Sequence, residues 1–276
     1  MEPKGAWRLA LPLALAQVLF FLAPLLILAA TSLATDENLS AVSGQAWAEV
    51  LGDSFNLGAA WNTLRLGAMT VLATTVLAVP LALLHLAAGP GLKKLILLAA
   101  VLPLLTSVVV RTFAWIAILG REGVINNALI ATGLATAPVP LLQTEHGLIL
   151  ALTQIEMPLM LLPLIAAMAR IDPVLLDASA ALGASLLRTL RRVVLPIALP
   201  GLLAGATLVF ASAATAFISQ SVIGGGRLAY LPYLVWQQAM VVFNWPLAAA
   251  LALTLMASVL AVVTALSALG RKVAHV

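Results

Sequence analysis

Six stretches of this chain stay apolar for about 20 residues or more without alternation: residues 9–33, 64–86, 95–119, 147–168, 199–219 and 247–269. A run of that length crosses the ~30 Å hydrocarbon layer of a membrane as one α-helix. Only helices and closed barrels satisfy their backbone hydrogen bonds in that medium, and barrel strands alternate apolar and polar residues with period two. The runs here do not alternate. The rest of the composition agrees, with 63% of the 276 residues hydrophobic and 9% charged, against roughly a quarter charged in soluble domains. The pattern predicts an all-α membrane protein with six transmembrane helices. No repeat or low-complexity tract divides it, so residues 1–276 read as a single transmembrane domain. There is no cysteine, which removes disulfide, thiol and iron–sulfur chemistry.

The first run follows Lys4 and Arg8 and ends in LAATSLATDE, the basic start and small-residue end of a secretory signal. Its apolar part exceeds the ~7–15 residues of such a signal, so a retained span is expected. Lys and Arg accumulate on the cytoplasmic side of a membrane. Lys4, Arg8, Lys93, Lys94, Arg170, Arg188, Arg191, Arg192, Arg271 and Lys272 all fall on one side of six spans. The opposite loops hold Arg121 and Arg227, with Arg65 at a span edge, alongside Asp36, Glu37, Glu49, Asp53, Glu122 and Glu145. Both termini are therefore expected in the cytoplasm. The net charge of +4 follows from this sidedness and does not indicate a nucleic-acid partner.

The outer loops carry further structure. Residues 43–52 (SGQAWAEVLG) and 123–133 (GVINNALIATG) each read as a short interfacial helix, with Trp47 and Trp61 at headgroup depth. In the last outer loop, 220–246, Gly224, Gly225 and Gly226 are expected to break the fifth helix. An aromatic surface helix follows, and Asn244 caps the sixth span, with proline tolerated in its first turn.

One cytoplasmic insert is unlike the rest: DASAALGASLLRTLRRVVLP, Asp177 to Pro196. Residues 177–190 read as a short helix with an acid near its start and arginines at its end, the polarity a helix dipole favours. Gly183 permits a sharp bend, and Pro196 marks the start of the fifth span. A loop that only fixed topology would need the arginines, but not the Ala/Gly/Ser spacing. A helix-turn-helix DNA reader also places glycine at its turn, yet the loop is too short to carry the packed core such a reader requires.

The spacing Ala178, Gly183, Leu195 and Pro196, with Val193 before the Leu-Pro pair, resembles the EAA loop of permease subunits in binding-protein-dependent ABC importers. Asp177 stands where that motif has Glu, and Ser179 where it has Ala. Further stretches are similar to spermidine/putrescine (polyamine) permeases: VLPLLTSVVVRTFAWIAILGREGVINNAL from Val101, PLMLLPL from Pro158, and LPIALPGLLAG from Leu195. The resemblance implies the type I ABC importer (MetI-like) permease fold, with its core at about 60–270 and a cytoplasmic coupling loop at 170–197. It implies that Asp177, Ala178, Ser179, Leu182, Gly183, Ala184, Leu195 and Pro196 contact an ATPase. It implies as partners a second homologous permease, wrapped by the first span, two ATP-binding cassette subunits and a periplasmic substrate-binding protein. ATP and Mg would be held by the cassettes and no cofactor by this chain, which has no G-x-x-x-x-G-K-[ST] sequence. The solute would be a small organic cation of the polyamine kind; aminophosphonate, thiamine and ferric iron importers share much of the pattern.

Ionisable groups within hydrocarbon are costly and are functional candidates by default. Arg111 in the third run and Glu156 in the fourth lie at similar depths, roughly 12 and 14 Å from the outer ends at ~1.5 Å per residue. Two readings are open: a structural ion pair locking two helices, or a site for a cationic substrate in which Trp115 contacts an ammonium. Thr153 and Gln220 add polar groups to the same tentative path. Pro158 and Pro163 free carbonyls near Gln154 and Leu159, as in helices that break beside a cavity. His85, His146 and His275 are far apart in sequence, and no metal site is expected. A proton-driven transporter titrating Glu156 accounts for the buried acid but leaves the insert without a task. A scaffold with no transport path predicts that Glu156 is dispensable for uptake.

Overall fold

The computed structural model describes residues 6–35 and 41–274. Lys4, Asp36, Glu37 and His275, invoked above, lie outside the described residues. Thirteen α-helices follow one another among the described residues: α1 Ala6–Ser32, α2 Gln45–Gly52, α3 Ser54–Ala87, α4 Pro90–Val101, α5 Val108–Leu119, α6 Val124–Ala131, α7 Glu145–Met168, α8 Pro173–Ala181, α9 Leu186–Thr189, α10 Leu195–Ala214, α11 Phe217–Ile223, α12 Leu231–Gln237 and α13 Trp245–Ala274. Five continuous helices are long and apolar enough to span, and a bent pair supplies the sixth.

Side-chain caps begin several of these helices where the sequence changes from polar to apolar. Asp53 Oδ1 accepts from Phe55 N at the start of α3, and Thr144 Oγ1 accepts from Gly147 N at the start of α7. Asn244 Oδ1 accepts from Leu247 N, the cap expected for the last span. The two short helices expected over 43–52 and 123–133 also form, as α2 and α6. Trp47 half-buries there and donates its indole N–H to Ser32 Oγ (3.2 Å), whereas Trp61 is exposed.

Two of the expected spans are not single helices. The third is broken: residues Pro90–Leu105 and Val108–Ala131 meet at 104°. Pro103 has no amide to continue the ladder, the chain tightens into a 3₁₀ turn over Leu102–Leu105, and Thr106 is extended. The Thr106 hydroxyl bonds the Pro103 carbonyl (2.8 Å), and α5 restarts as Arg111 N donates to Ser107 O. The fifth span ends at Ala214, ahead of its three glycines. Ala216 adopts φ −73°, ψ 61°, and Phe217 N bonds Thr215 O (2.8 Å). That is an inverse γ-turn, after which α11 runs to Ile223. The glycines terminate α11, with Gly225 and Gly226 at positive φ.

The packed centre consists of α3, α7 and α10. Gly201 and Gly205 of α10 lie against α7: a Cβ at Gly201 would overlap the Ala167 side chain and the Pro163 carbonyl, and one at Gly205 would press on Met160. Gly67 of α3 faces the ring of Phe210 in the same way. In a membrane, where lipid is as apolar as leucine, such close approach is the main source of helix association. Thr63, Thr70 and Thr74 are fully buried on α3 and return their hydroxyls to their own helix. By contrast α1 packs on α13 and is otherwise open to its surroundings.

Candidate functional site

The insert at 177–196 is a helix–turn–helix knuckle, bent where Gly183 was expected to permit it. Its first arm, α8, starts earlier, where Asp172 caps Val174 N (2.9 Å) and Pro173 takes the first helical position. At its end, Gly183 N bonds Ala180 O and Ala184 N bonds Ser179 O, with Gly183 at φ +69°. These are the paired bonds of a Schellman turn, which needs a residue without Cβ strain at that position. Ser179 and Thr189, one from each arm, join hydroxyls at 2.6 Å. The serine that departs from the EAA pattern thus closes the knuckle.

The second arm does not stop at Pro196. Leu190–Val194 forms one turn of π-helix, in which Leu195 N reaches back to Leu190 O, and the helix continues into α10. The widened turn absorbs the amide that Pro196 lacks. From Leu186 to Ala214 the chain is one apolar helical segment of 29 residues. The knuckle projects from it with Leu182 and Leu186 86% and 88% exposed, and with Asp177 and Ala178 also exposed. A trough of about 400 Å³ between the arms is lined by Leu175, Ala178, Ser179, Leu182, Arg188 and Arg192. Leucines this exposed on a preformed turn mark a contact surface.

A second site lies within the membrane. Glu156 on α7 is 4% exposed, with the hydroxyl of Ser212 beside its carboxyl and Arg111 nearby. Of the two readings left open, the Arg111–Glu156 ion pair does not form. Arg111 instead donates to the Ile155 carbonyl (3.2 Å), and its Nε has no partner. Neither proline breaks α7, which runs continuously from Glu145 to Met168. The breaks are next to it: Arg111 is one turn beyond the Thr106–Ser107 break of the third span, and Ser212 one turn before the Ala216 break of the fifth. Two interrupted helices therefore face one buried carboxylate, an arrangement typical of transport sites.

Trp115 does not stack on Arg111; its indole N–H donates to Gln154 Oε1 (3.2 Å). Trp115, Gln154 and Thr153 line a cavity of about 300 Å³ together with Leu77, Pro103 and Pro158. The Thr153 hydroxyl is held by Ile149 O (2.6 Å). Gln220 is 1% exposed but lies apart from this group: its amide donates to Ala213 O and Ala214 O (3.1 and 3.3 Å), capping the broken end of α10. A hydroxyl contact of 3.1 Å between Thr112 and Ser219 ties the outer pieces of the two broken spans together. Ser212 and Thr112 were not singled out from sequence, whereas Ser219 was, beside Gln220 near the end of the fifth run. The G-x-x-x-G spacing of Gly201 and Gly205 was the available signal for the helix contact beside them.

Arg65 and Glu145 form the one salt bridge among the described residues, joining α3 to the start of α7. Burial pushes the nearby Tyr230 hydroxyl above its ordinary pKa, and the Glu145 charge adds to the shift.

The chain is 30% identical over 195 residues to the spermidine/putrescine transport system permease protein PotB of Haemophilus influenzae, which covers 71% of this chain and 68% of that protein. The protein of the same name in Escherichia coli is 28% identical, with 70% of each chain covered. In structure it is similar to a chain of a bacterial alginate ABC transporter solved in complex with an alginate pentasaccharide-bound periplasmic protein. That match has TM-score 0.80 at 18% identity and covers 97% and 94% of the two chains, which establishes the shared fold. Residues 92–275 match the family described as binding-protein-dependent transport system inner membrane component, and with its interrupted spans and projecting knuckle the chain belongs to that family of ABC importer permeases.

Proposed function

We propose that this permease carries a small organic cation of the polyamine class, and that Glu156 is the point in the membrane where the cation is met. The observation that carries the reading is a carboxylate 4% exposed, with no cationic side chain bonded to it, facing two helix breaks. An ionised acid in that position has no bonded counter-charge, and a passing ammonium supplies one. Arg111, held on the Ile155 carbonyl, limits how long the cation stays by raising the local positive potential. Trp115 lines the adjoining cavity, where an ammonium over the face of its indole would gain a cation–π contact. The similarity to spermidine/putrescine permeases supports the same solute class.

In this reading the termini and knuckle are cytoplasmic, and a second permease of related sequence completes the path. The knuckle, from Asp177 through Ala184, seats in a groove of one cassette subunit, while Leu195 and Pro196 begin the stem that carries its motion. ATP with Mg is bound and hydrolysed in the two cassette subunits, and a periplasmic binding protein delivers the solute. Closure of the cassettes then moves the knuckle as a rigid body and exchanges inward- and outward-facing states.

The test is uptake of labelled spermidine into proteoliposomes containing the complete complex and its binding protein. ATP-dependent uptake, competed by putrescine but not by thiamine, 2-aminoethylphosphonate or ferric iron, is expected. Uptake by this chain alone without cassette subunits would point to a proton-driven carrier and overturn the assignment.

A further inference from the structure

The end of α13 lies against α10 near the knuckle, and an open groove of about 450 Å³ separates them. Its walls are Pro200, Leu203 and Leu208 on one side and Leu266 and Gly270 on the other, with Arg271 at the mouth. The Thr207 hydroxyl in the wall is already bonded to Leu203 O (2.8 Å), so the groove offers little polarity along its length. Arg271 is exposed and has no carboxylate within ion-pair distance among the described residues. Pro200 is four residues past Pro196, so the mouth lies at the knuckle end of the molecule.

We infer that this groove binds one anionic phospholipid of the inner leaflet, with an acyl chain along the leucine walls and its phosphate on Arg271. The inference rests on the proposed orientation, which puts the knuckle and Arg271 on the cytoplasmic side. Three features select this occupant. An apolar trough on a membrane-spanning surface is filled by the surrounding lipid. A guanidinium at its headgroup end pairs with a phosphate through two parallel hydrogen bonds. Basic pockets between spans on the cytoplasmic side favour anionic over zwitterionic headgroups.

The test is native mass spectrometry of the assembled complex, taken from mixed micelles with equal phosphatidylglycerol and phosphatidylcholine. One phosphatidylglycerol per copy of this chain is expected to survive desolvation. R271Q is expected to lower its retention about five-fold, the effect of one basic residue near a charged headgroup. A Cβ at Gly270 is in ordinary contact with Leu203, at 3.8 Å, so G270A is expected to keep the lipid, whereas the ring of G270F, at a residue that lines the groove, is expected to fill it and displace the lipid. Equal retention of the two lipids, or retention unchanged in R271Q, overturns the headgroup assignment. Loss in R271Q with full retention in G270F overturns the groove as the acyl-chain site. None of these readouts depends on transport, so they can fail or succeed independently of the solute assigned above.

Discussion

At the residue scale, the chemistry rests on a few side chains that differ from their surroundings in one property each. Glu156 is an acid in hydrocarbon, and replacing it with glutamine keeps the shape and the Ser212 contact while removing the charge. Glu156→Gln is expected to lower ATP-driven uptake at least about ten-fold, equivalent to ~1.4 kcal/mol, with the complex still assembled on size-exclusion chromatography. Gly201 is defined by what it lacks. Gly201→Leu pushes α10 away from the Pro163 carbonyl and Ala167, and overpacking of this kind costs about 1–3 kcal/mol. A lower thermal unfolding midpoint of the purified protein is the expected sign. Glu156 and Arg111 were legible from sequence because charges are rare in apolar runs. Their bonds were not, because depth along a helix does not give the rotation that turned Arg111 toward a backbone carbonyl.

At the scale of elements, the spans and the short surface helices were readable from apolar length and from the capping residue Asn244. The breaks were less so. Pro103 ended a helix, whereas Pro158 and Pro163 did not, and Ala216 broke one with no proline or glycine of its own. What decides is whether neighbouring groups satisfy the freed carbonyls. Gln220 does this for Ala213 and Ala214 from across the turn, a condition set by the path the chain takes and not by its helix-breaking residues. The knuckle was the opposite case, since Gly183 forecast a bend and occupies the one left-handed position of the Schellman turn. Gly183→Val places a β-branched residue there at a penalty of roughly 1–2 kcal/mol. The expected result is fewer solute molecules moved per ATP hydrolysed, with membrane insertion unchanged. Asp177→Lys is expected to reduce the same ratio through charge alone, leaving the turn formed.

For the whole molecule, sidedness is the property most directly open to experiment, because a chain without cysteine permits single-site labelling. Ser54→Cys is expected to react with an impermeant maleimide in intact spheroplasts, and Ser185→Cys only after lysis; the reverse pattern would invert the proposed topology. The uninterrupted segment from Leu186 to Ala214 adds a mechanical consequence. At ~1.5 Å per residue it is a rod of about 44 Å, rooted in the knuckle at one end and ending beside the buried acid at the other. A tilt of about 10° around its midpoint displaces each tip by roughly 4 Å. That distance is enough to part the Ser212 hydroxyl from Glu156, so a small swivel at the knuckle end would strip the carboxylate of a neighbour deep inside the bilayer.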